Sequence, residues 1–246
     1  MSGPTASPER APSSIESTAV AIEPRQRWRL VVARSADAPA QTHRDATEAW
    51  TSALEATELP LARASGGGSR PRISFGAPLP VGMAAEGELI DLFLVERWPV
   101  WRVRETLDGR TPQGWRLVDL YDVWLAGPPL PGKVAAADYR VELRGPVDDV
   151  LISRTAEALL AAPRLPRERP KGGGVVTYDL RPLLVDIATD AATAAVPTIR
   201  IRTRFHAELG TGRPEEVVAA LGEAAGIVLE PTSIVRERLI LAEDLP

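Results

Sequence analysis

Ser65-Gly66-Gly67-Gly68-Ser69-Arg70-Pro71-Arg72-Ile73-Ser74-Phe75-Gly76-Ala77-Pro78-Leu79-Pro80-Val81-Gly82 is the stretch from which the fold is read. A glycine-rich, positively charged loop runs into a short apolar strand, Ile73 to Ala77. Pro78, Pro80 and Gly82 then mark a turn. The chain returns as a second apolar strand, Glu88 to Val95. Working upstream, Leu59 to Ala64 reads as a short strand leading into the loop. Before it, Thr42 to Ala56 reads as a helix, with Thr42 as N-cap and Asp45 three residues on in the acidic form of a capping box. Ala46, Trp50, Ala53 and Leu54 share one face of that helix. Gln26 to Arg34 is a strand that sets Trp28, Leu30 and Val32 against Arg27 and Arg29. Downstream, Pro99 to Thr106 is a helix with proline in its first turn, and Trp115 to Val123 is a strand. With the Leu59 segment counted, the order is strand, helix, strand, strand, helix, strand. That is the split-βαβ, ferredoxin-like plan.

Gly127-Pro128-Pro129-Leu130-Pro131-Gly132 interrupts the pattern, after which it resumes. Asp138 to Leu143 alternates as a strand. Val147 to Ala162 is an amphipathic helix with Asp148 and Asp149 at its positive end. Leu165 to Arg169 and Val175 to Leu180 flank a second glycine loop, Pro170-Lys171-Gly172-Gly173-Gly174. Thr198 to Phe205 is a strand, Pro214 to Leu221 a helix opened by proline and two acids, and Ser233 to Leu241 the last strand. The expected fold is α+β: two tandem ferredoxin-like modules with antiparallel sheets, 25–132 and 133–246. They follow a tail, 1–24, rich in Pro, Ser, Ala and Glu and expected to be disordered. No residue-level repeat proves duplication.

Composition narrows the chemistry. The 246 residues include no cysteine and two histidines. A thiol nucleophile, a disulfide, Cys-ligated zinc and an iron–sulfur cluster on this chain's own thiolates are excluded. No metal site and no cofactor are expected. A net charge of -4 argues against a general nucleic-acid binder. No apolar run spans a membrane and no secretory signal is visible, so a cytoplasmic protein is expected.

Four groups of residues invite a functional reading. His43 with Asp45 is a candidate acid/base pair at a helix N-terminus. The alternative is a cap beside a solvent-facing histidine, since residues two apart on a helix do not face each other. Arg70 and Arg72, with the amides of Gly66 to Gly68, suit a phosphate or a nucleic-acid backbone; the alternative is a plain hairpin loop. Arg164, Arg167, Arg169, Lys171 and Arg181 form a second basic cluster. Arg200, Arg202 and Arg204 share one face of their strand; the alternative is a solvated face paired with nearby acids. Asp179 and Arg181 read as a structural pair. The tryptophans read mostly as core, with Trp98 and Trp101 as a candidate contact patch.

Four blocks carry a family likeness. Arg70 to Gly82, followed by Glu86-Gly87-Glu88-Leu89-Ile90-Asp91-Leu92, resembles the radical-SAM-associated bacterial domain family of unknown function. Thr42-His43-Arg44-Asp45 is similar to that family's Ser-His-Leu-Asp motif. Lys171 to Asp186, with Asp179-Leu180-Arg181-Pro182-Leu183, is similar to its basic loop and Asp-Leu-Arg-Pro-Leu block. Gly212-Arg213-Pro214-Glu215-Glu216-Val217 is similar to its late helix start. The family's aromatic-Asn-Pro-His-Pro sequence is replaced here by Gly67 to Pro71, and its leucine by Arg44. The resemblance implies a radical SAM protein as partner and, through relatives, a link to RNA. Without cysteine, this chain would be the accessory and not the catalyst. Three functions follow as expectations. The first is a non-catalytic accessory binding the partner or its substrate, RNA included, through basic loops. The second is an RNA-acting enzyme using His43, with Arg70 and Arg72 on phosphate. The third is a protein–protein adaptor.

Overall fold

The computed structural model describes residues 22–64, 70–171, 173–189 and 196–245. The expected tail, apart from residues 22–24, and the Gly66–Gly68 loop lie outside the described residues. Two strands, β1 (Gln26–Arg34) and β3 (Ala84–Leu94), form the centre of the first half. Between them come α1 (His43–Glu55) and the short β2 (Ile73–Phe75); after them come α2 (Val100–Leu107) and β4 (Trp115–Val123). The second half contains β5 (Val134–Leu143), α3 (Asp149–Ala161), the hairpin of β6 (Pro166–Lys171) and β7 (Gly174–Asp179), β8 (Leu184–Thr189), β9 (Thr198–His206), β10 (Gly210–Thr211), α4 (Pro214–Ala225) and β11 (Pro231–Leu241).

The fold is a mixed α/β architecture with a mainly antiparallel sheet and four α-helices among the described residues. In the first half the strands run β4-β1-β3-β2, and in the second β11-β5-β9-β8, with every one of these pairings antiparallel. The separate antiparallel sheets expected for the halves are instead one nine-stranded sheet, joined where β11 lies parallel to β3 at Val235↔Ala84 and Arg236↔Ala85. The reason is the length of β3. Its C-terminal part takes β2 on one edge, from Ile90 to Leu92, and leaves the N-terminal part of that edge open to β11. Gly87 permits the approach: a Cβ there would lie 2.8 Å from the carbonyl oxygen of Glu237.

Two elements depart from the sequence reading. Leu59 to Ala64 is not a strand but a segment with isolated bridges, Leu61↔Leu94 and Arg63↔Pro71. The 165–180 hairpin pairs only with itself, and the strand beside β9 is β8, which the sequence reading did not assign.

Each half carries its own core. Trp28, Leu30 and Val32 of β1 meet Trp50 and Leu54 of α1, Val103 and Leu107 of α2, and Ile90 and Leu92 of β3. In the second half Val141, Ile199 and Ile201 pack against Ile152 and Leu159 of α3 and Val217 and Leu221 of α4. The opposite face of β1 is also buried. Arg27 and Arg29 are each 3% exposed around Asp91. Arg29 Nε donates to Asp91 Oδ1 at 2.7 Å and Arg27 Nε to Oδ2 at 2.8 Å. The Gly127–Pro131 break folds over them, and Arg27 donates to the carbonyls of Gly127 and Pro128. Charges so deep persist only because they are paired and hydrogen-bonded. Among the described residues no helix is long and apolar enough to cross a membrane.

Candidate functional site

Three blocks distant in sequence meet at the N-terminus of α1. Gln41, Thr42 and His43 face Phe75, Ala77, Leu79 and Pro80 across a narrow slot, with Arg34, Glu88 and Trp115 completing its walls. The capping box places the histidine. Thr42 Oγ1 accepts from the Asp45 amide at 3.2 Å, and Asp45 Oδ2 accepts from the Thr42 amide at 2.9 Å and its hydroxyl at 2.8 Å. Those bonds hold the Asp45 carboxyl below the usual carboxylate range. Asp45 is therefore committed to the cap and is no partner for His43. His43 instead sets its ring edge-on to Phe75, centroids 5.2 Å apart.

Charge in the slot is arranged for structure. Arg34, 4% exposed, donates to the carbonyls of Met83, at 3.0 Å, and Pro39. Burial holds its pKa down, and no carboxylate reaches it among the described residues. Glu88 is taken by Arg236 of β11, through Nε at 2.6 Å and Nη2 at 2.5 Å. Arg236 also donates to the carbonyl of Pro78 at 3.1 Å, which ties the proline turn to the junction of the halves. Desolvation pushes the neighbouring Tyr139 phenol up. The free volume of the slot is about 10 Å³, which is the size of one water molecule. It can order a water. It has no room for a nucleotide.

The predicted arginines are not gathered at this slot. Arg72 lies over the Phe93 ring at 4.2 Å. Phe93 alternates with Leu92 and Leu94, which face the helices, so Arg72 and His43 are on opposite faces of the sheet. Arg72 is therefore not brought together with His43. Arg70 is exposed. Arg169 lies over Tyr178 at 4.8 Å, while Tyr178 donates to Glu216, and both burial and that contact push the phenol pKa up. Lys171 ends β6 opposite Gly174, and its side chain lies outside the described residues. Arg181 is a clamp: Nη1 donates to Leu184 O at 2.9 Å and Nη2 to Leu160 O at 2.5 Å. Asp179 supports the same turn by accepting from the amides of Leu165 and Arg181.

The arginine-bearing face of β9 is neutralised from within. Arg202 Nε donates to Asp138 Oδ1 at 2.6 Å, and Arg200 pairs with Glu237 at 3.0 Å. Arg238 shares Asp138 and Arg140 shares Glu237. Desolvation raises the Asp138 pKa, but the hydrogen bonds from Arg202 and Arg238 outweigh it and hold the carboxyl down. Arg204 is exposed.

Of the exposed aromatics around β4, the sequence reading named Trp101 and missed Tyr121 and Trp124. Trp124 is 76% exposed, Tyr121 42% and Trp101 64%. Trp98, paired with Trp101 in the sequence reading, is instead buried beneath the Arg102 guanidinium, 3.6 Å from its ring. Strand alternation on an edge with one covered face was the signal for Tyr121; Trp124 sits just past the strand, where no period applies. Among the described residues no cluster of three His, Asp or Glu side chains forms a metal site.

No curated protein matches the chain. Among solved structures, a Cbf5-Nop10-Gar1 complex is similar at 10% identity and a TM-score of 0.47, covering 85% of this chain and 49% of that one. An archaeal box H/ACA sRNP Nop10-Cbf5 complex is similar at 12% identity and a TM-score of 0.43, covering 85% of this chain and 46% of that one. The chain thus spans about half the length of those two chains. A family model described as "Uncharacterized protein conserved in bacteria (DUF2344)" matches residues 27–217. Matched over most of its length, this chain belongs to that bacterial family, DUF2344.

Proposed function

We propose that this chain is a non-catalytic accessory protein of the cytoplasm that works with a radical SAM enzyme, binding the enzyme or its substrate. The partner is taken from the sequence resemblance, and the chain is expected to hold no cofactor of its own. The division into tandem ferredoxin-like modules near residue 132 belongs to the same proposal, and the β4-β1-β3-β2 and β11-β5-β9-β8 orders support it. One observation carries the preference for binding over catalysis. Most of the charged groups that could support catalysis are engaged by the fold: Asp45 by the α1 cap, Glu88 by Arg236, and Arg200 and Arg202 by Glu237 and Asp138, which leaves His43 with only an edge-on contact to Phe75. The prominent exposed groups around β4 are aromatic, which suits contact with a partner.

RNA as the enzyme's substrate is the second reading. Arg70, Arg72 and Arg204 favour it, because each is exposed and meets no carboxylate among the described residues. The experiment is capture of the radical SAM enzyme of the same cell by the tagged chain, followed by RNA binding across a salt series. The accessory reading expects the enzyme in the eluate. An RNA role expects affinity to fall steeply as salt rises. Failure to capture the enzyme, together with no RNA binding at low salt, overturns the proposal.

A further inference from the structure

We propose that the free edge of β4 docks an extended, basic segment of a partner polypeptide, with a lysine or arginine of that segment seated on Trp101. The inference rests on the accessory reading above and supplies the partner's chemistry.

The first observation is the backbone. β4 ends the sheet, and among the described residues it pairs with β1 alone. No strand covers its outer row of N–H and C=O groups; the Leu120 amide donates to Asp119 Oδ1 at 2.8 Å and the Trp115 carbonyl accepts from the Thr111 hydroxyl at 2.7 Å, and the remaining groups of that row are open to strand addition. At nine residues it is long for an unprotected edge. Its one irregularity is at Val118, where the register with β1 shifts. Val118 and Tyr121 are exposed along it.

The second observation is the groove beside that edge. Trp101, Arg104, Glu105 and Asp108 of α2 and the turn after it, with Leu117 of β4, line a volume of about 430 Å³. Arg104 donates to Asp119 at 2.7 Å, which pins α2 to β4 and neutralises that arginine. Glu105 and Asp108 are exposed and meet no cation among the described residues. The groove thus offers an open indole face and two free carboxylates. A strand added to β4 alternates its side chains between the two faces of the sheet. Those on the helix side fall over Leu117 and Trp101. A cation there gains the indole face and two opposite charges at once. Those on the other side meet Tyr121 and Trp124.

The charge selects the occupant. An oligonucleotide would bring phosphates to the two carboxylates. A second copy paired through β4 would bring Leu117, Leu120 and Asp122, the residues in register with Val32, Leu30 and Trp28 on the helix side; none is a cation. A basic extended polypeptide fits.

The test uses the full chain and a fluorescein-labelled synthetic peptide of alternating lysine and valine, read by anisotropy at low salt. A glutamate–valine peptide is the control. The lysine peptide is expected to bind and the glutamate peptide to bind about tenfold more weakly or not at all. Trp101→Ala is expected to weaken the lysine peptide about tenfold. Glu105→Lys with Asp108→Lys is expected to reverse the preference. These positions are exposed, and an unchanged thermal melt checks that the variants fold. Hydrogen exchange is expected to slow at the amides of β4 on binding. Equal binding of both peptides, indifference to Trp101, displacement of the peptide by a uridine oligonucleotide, or a dimer lost in Trp101→Ala would each overturn the proposal. Capture of the radical SAM enzyme by wild type and Trp101→Ala alike would sink this edge and leave the accessory reading standing. Capture by neither would sink the accessory reading.

Discussion

Arg236 and Glu88 show how much one buried pair decides. Each is almost wholly buried, and they bind side by side through two nitrogens and two oxygens across the join of β3 and β11. Removing one partner strands the other charge in the interior, so Glu88→Ala is expected to cost about 3–5 kcal/mol in urea unfolding. Replacing both, with Glu88→Leu and Arg236→Met, is expected to recover most of that loss, because well-packed apolar side chains replace a buried pair at little net cost. A double variant as unstable as the single one would show that the pair is specifically required. Asp138 contributes to the acid response. Its folded pKa lies below the unfolded value of about 3.9. Its contribution is therefore complete above that value and is lost as pH falls through the lower folded one. Asp138→Asn is expected to flatten the fall in stability below about pH 4, measured by thermal melts from neutral to acid pH. The Asp45 assignment belongs to this scale too. Thr42-x-x-Asp45 was legible as a cap in the sequence, and in the structure Asp45 Oδ2 serves that cap.

Among the elements, α1 was read within a residue or two at each end because its signals are local. The cap, the apolar face of Ala46, Trp50 and Leu54, and the break after Ala56 all lie within the segment. Thr42→Ala is expected to destabilise the protein by about 0.5–2 kcal/mol, and Thr42→Asp to restore it, as read from urea midpoints. β8 was missed because its neighbour is distant. Leu184 to Thr189 is held by β9 through pairs such as Ile187↔Ile201, and its own alternation covers only six residues. Leu59 to Ala64 failed for the converse reason. It has strand-like composition, but the edge of β3 that it would complete is taken by β2 at Ile73 to Phe75, which leaves it isolated bridges. Arg200, Arg202 and Arg204 were correctly placed on one face of β9, yet their partners come from β5 and β11, beyond what one strand's period can show.

For the whole molecule, the continuous sheet makes the halves interdependent. Gly87 lies against β11, and Gly87→Ala would set a methyl group 2.8 Å from a backbone carbonyl of that strand. That substitution is expected to cost about 1–3 kcal/mol and to lower the unfolding temperature of both halves together. Gly132→Ala, where nothing lies within 4 Å, is expected to change stability by less than about 0.5 kcal/mol. By itself the sequence determined the four helices and most of the strands, the absence of thiol chemistry, the α1 cap and the family blocks. All of these are properties of neighbouring residues or of composition. Only the tertiary structure decided that the halves share one sheet, that Arg72 lies on the face opposite His43, that Arg200 and Arg202 of β9 are already paired, and that Tyr121 and Trp124 are exposed around an edge that no strand covers among the described residues. Burial and ion pairing depend on residues as far apart as Glu88 and Arg236, and local periodicity carries no information about such distances.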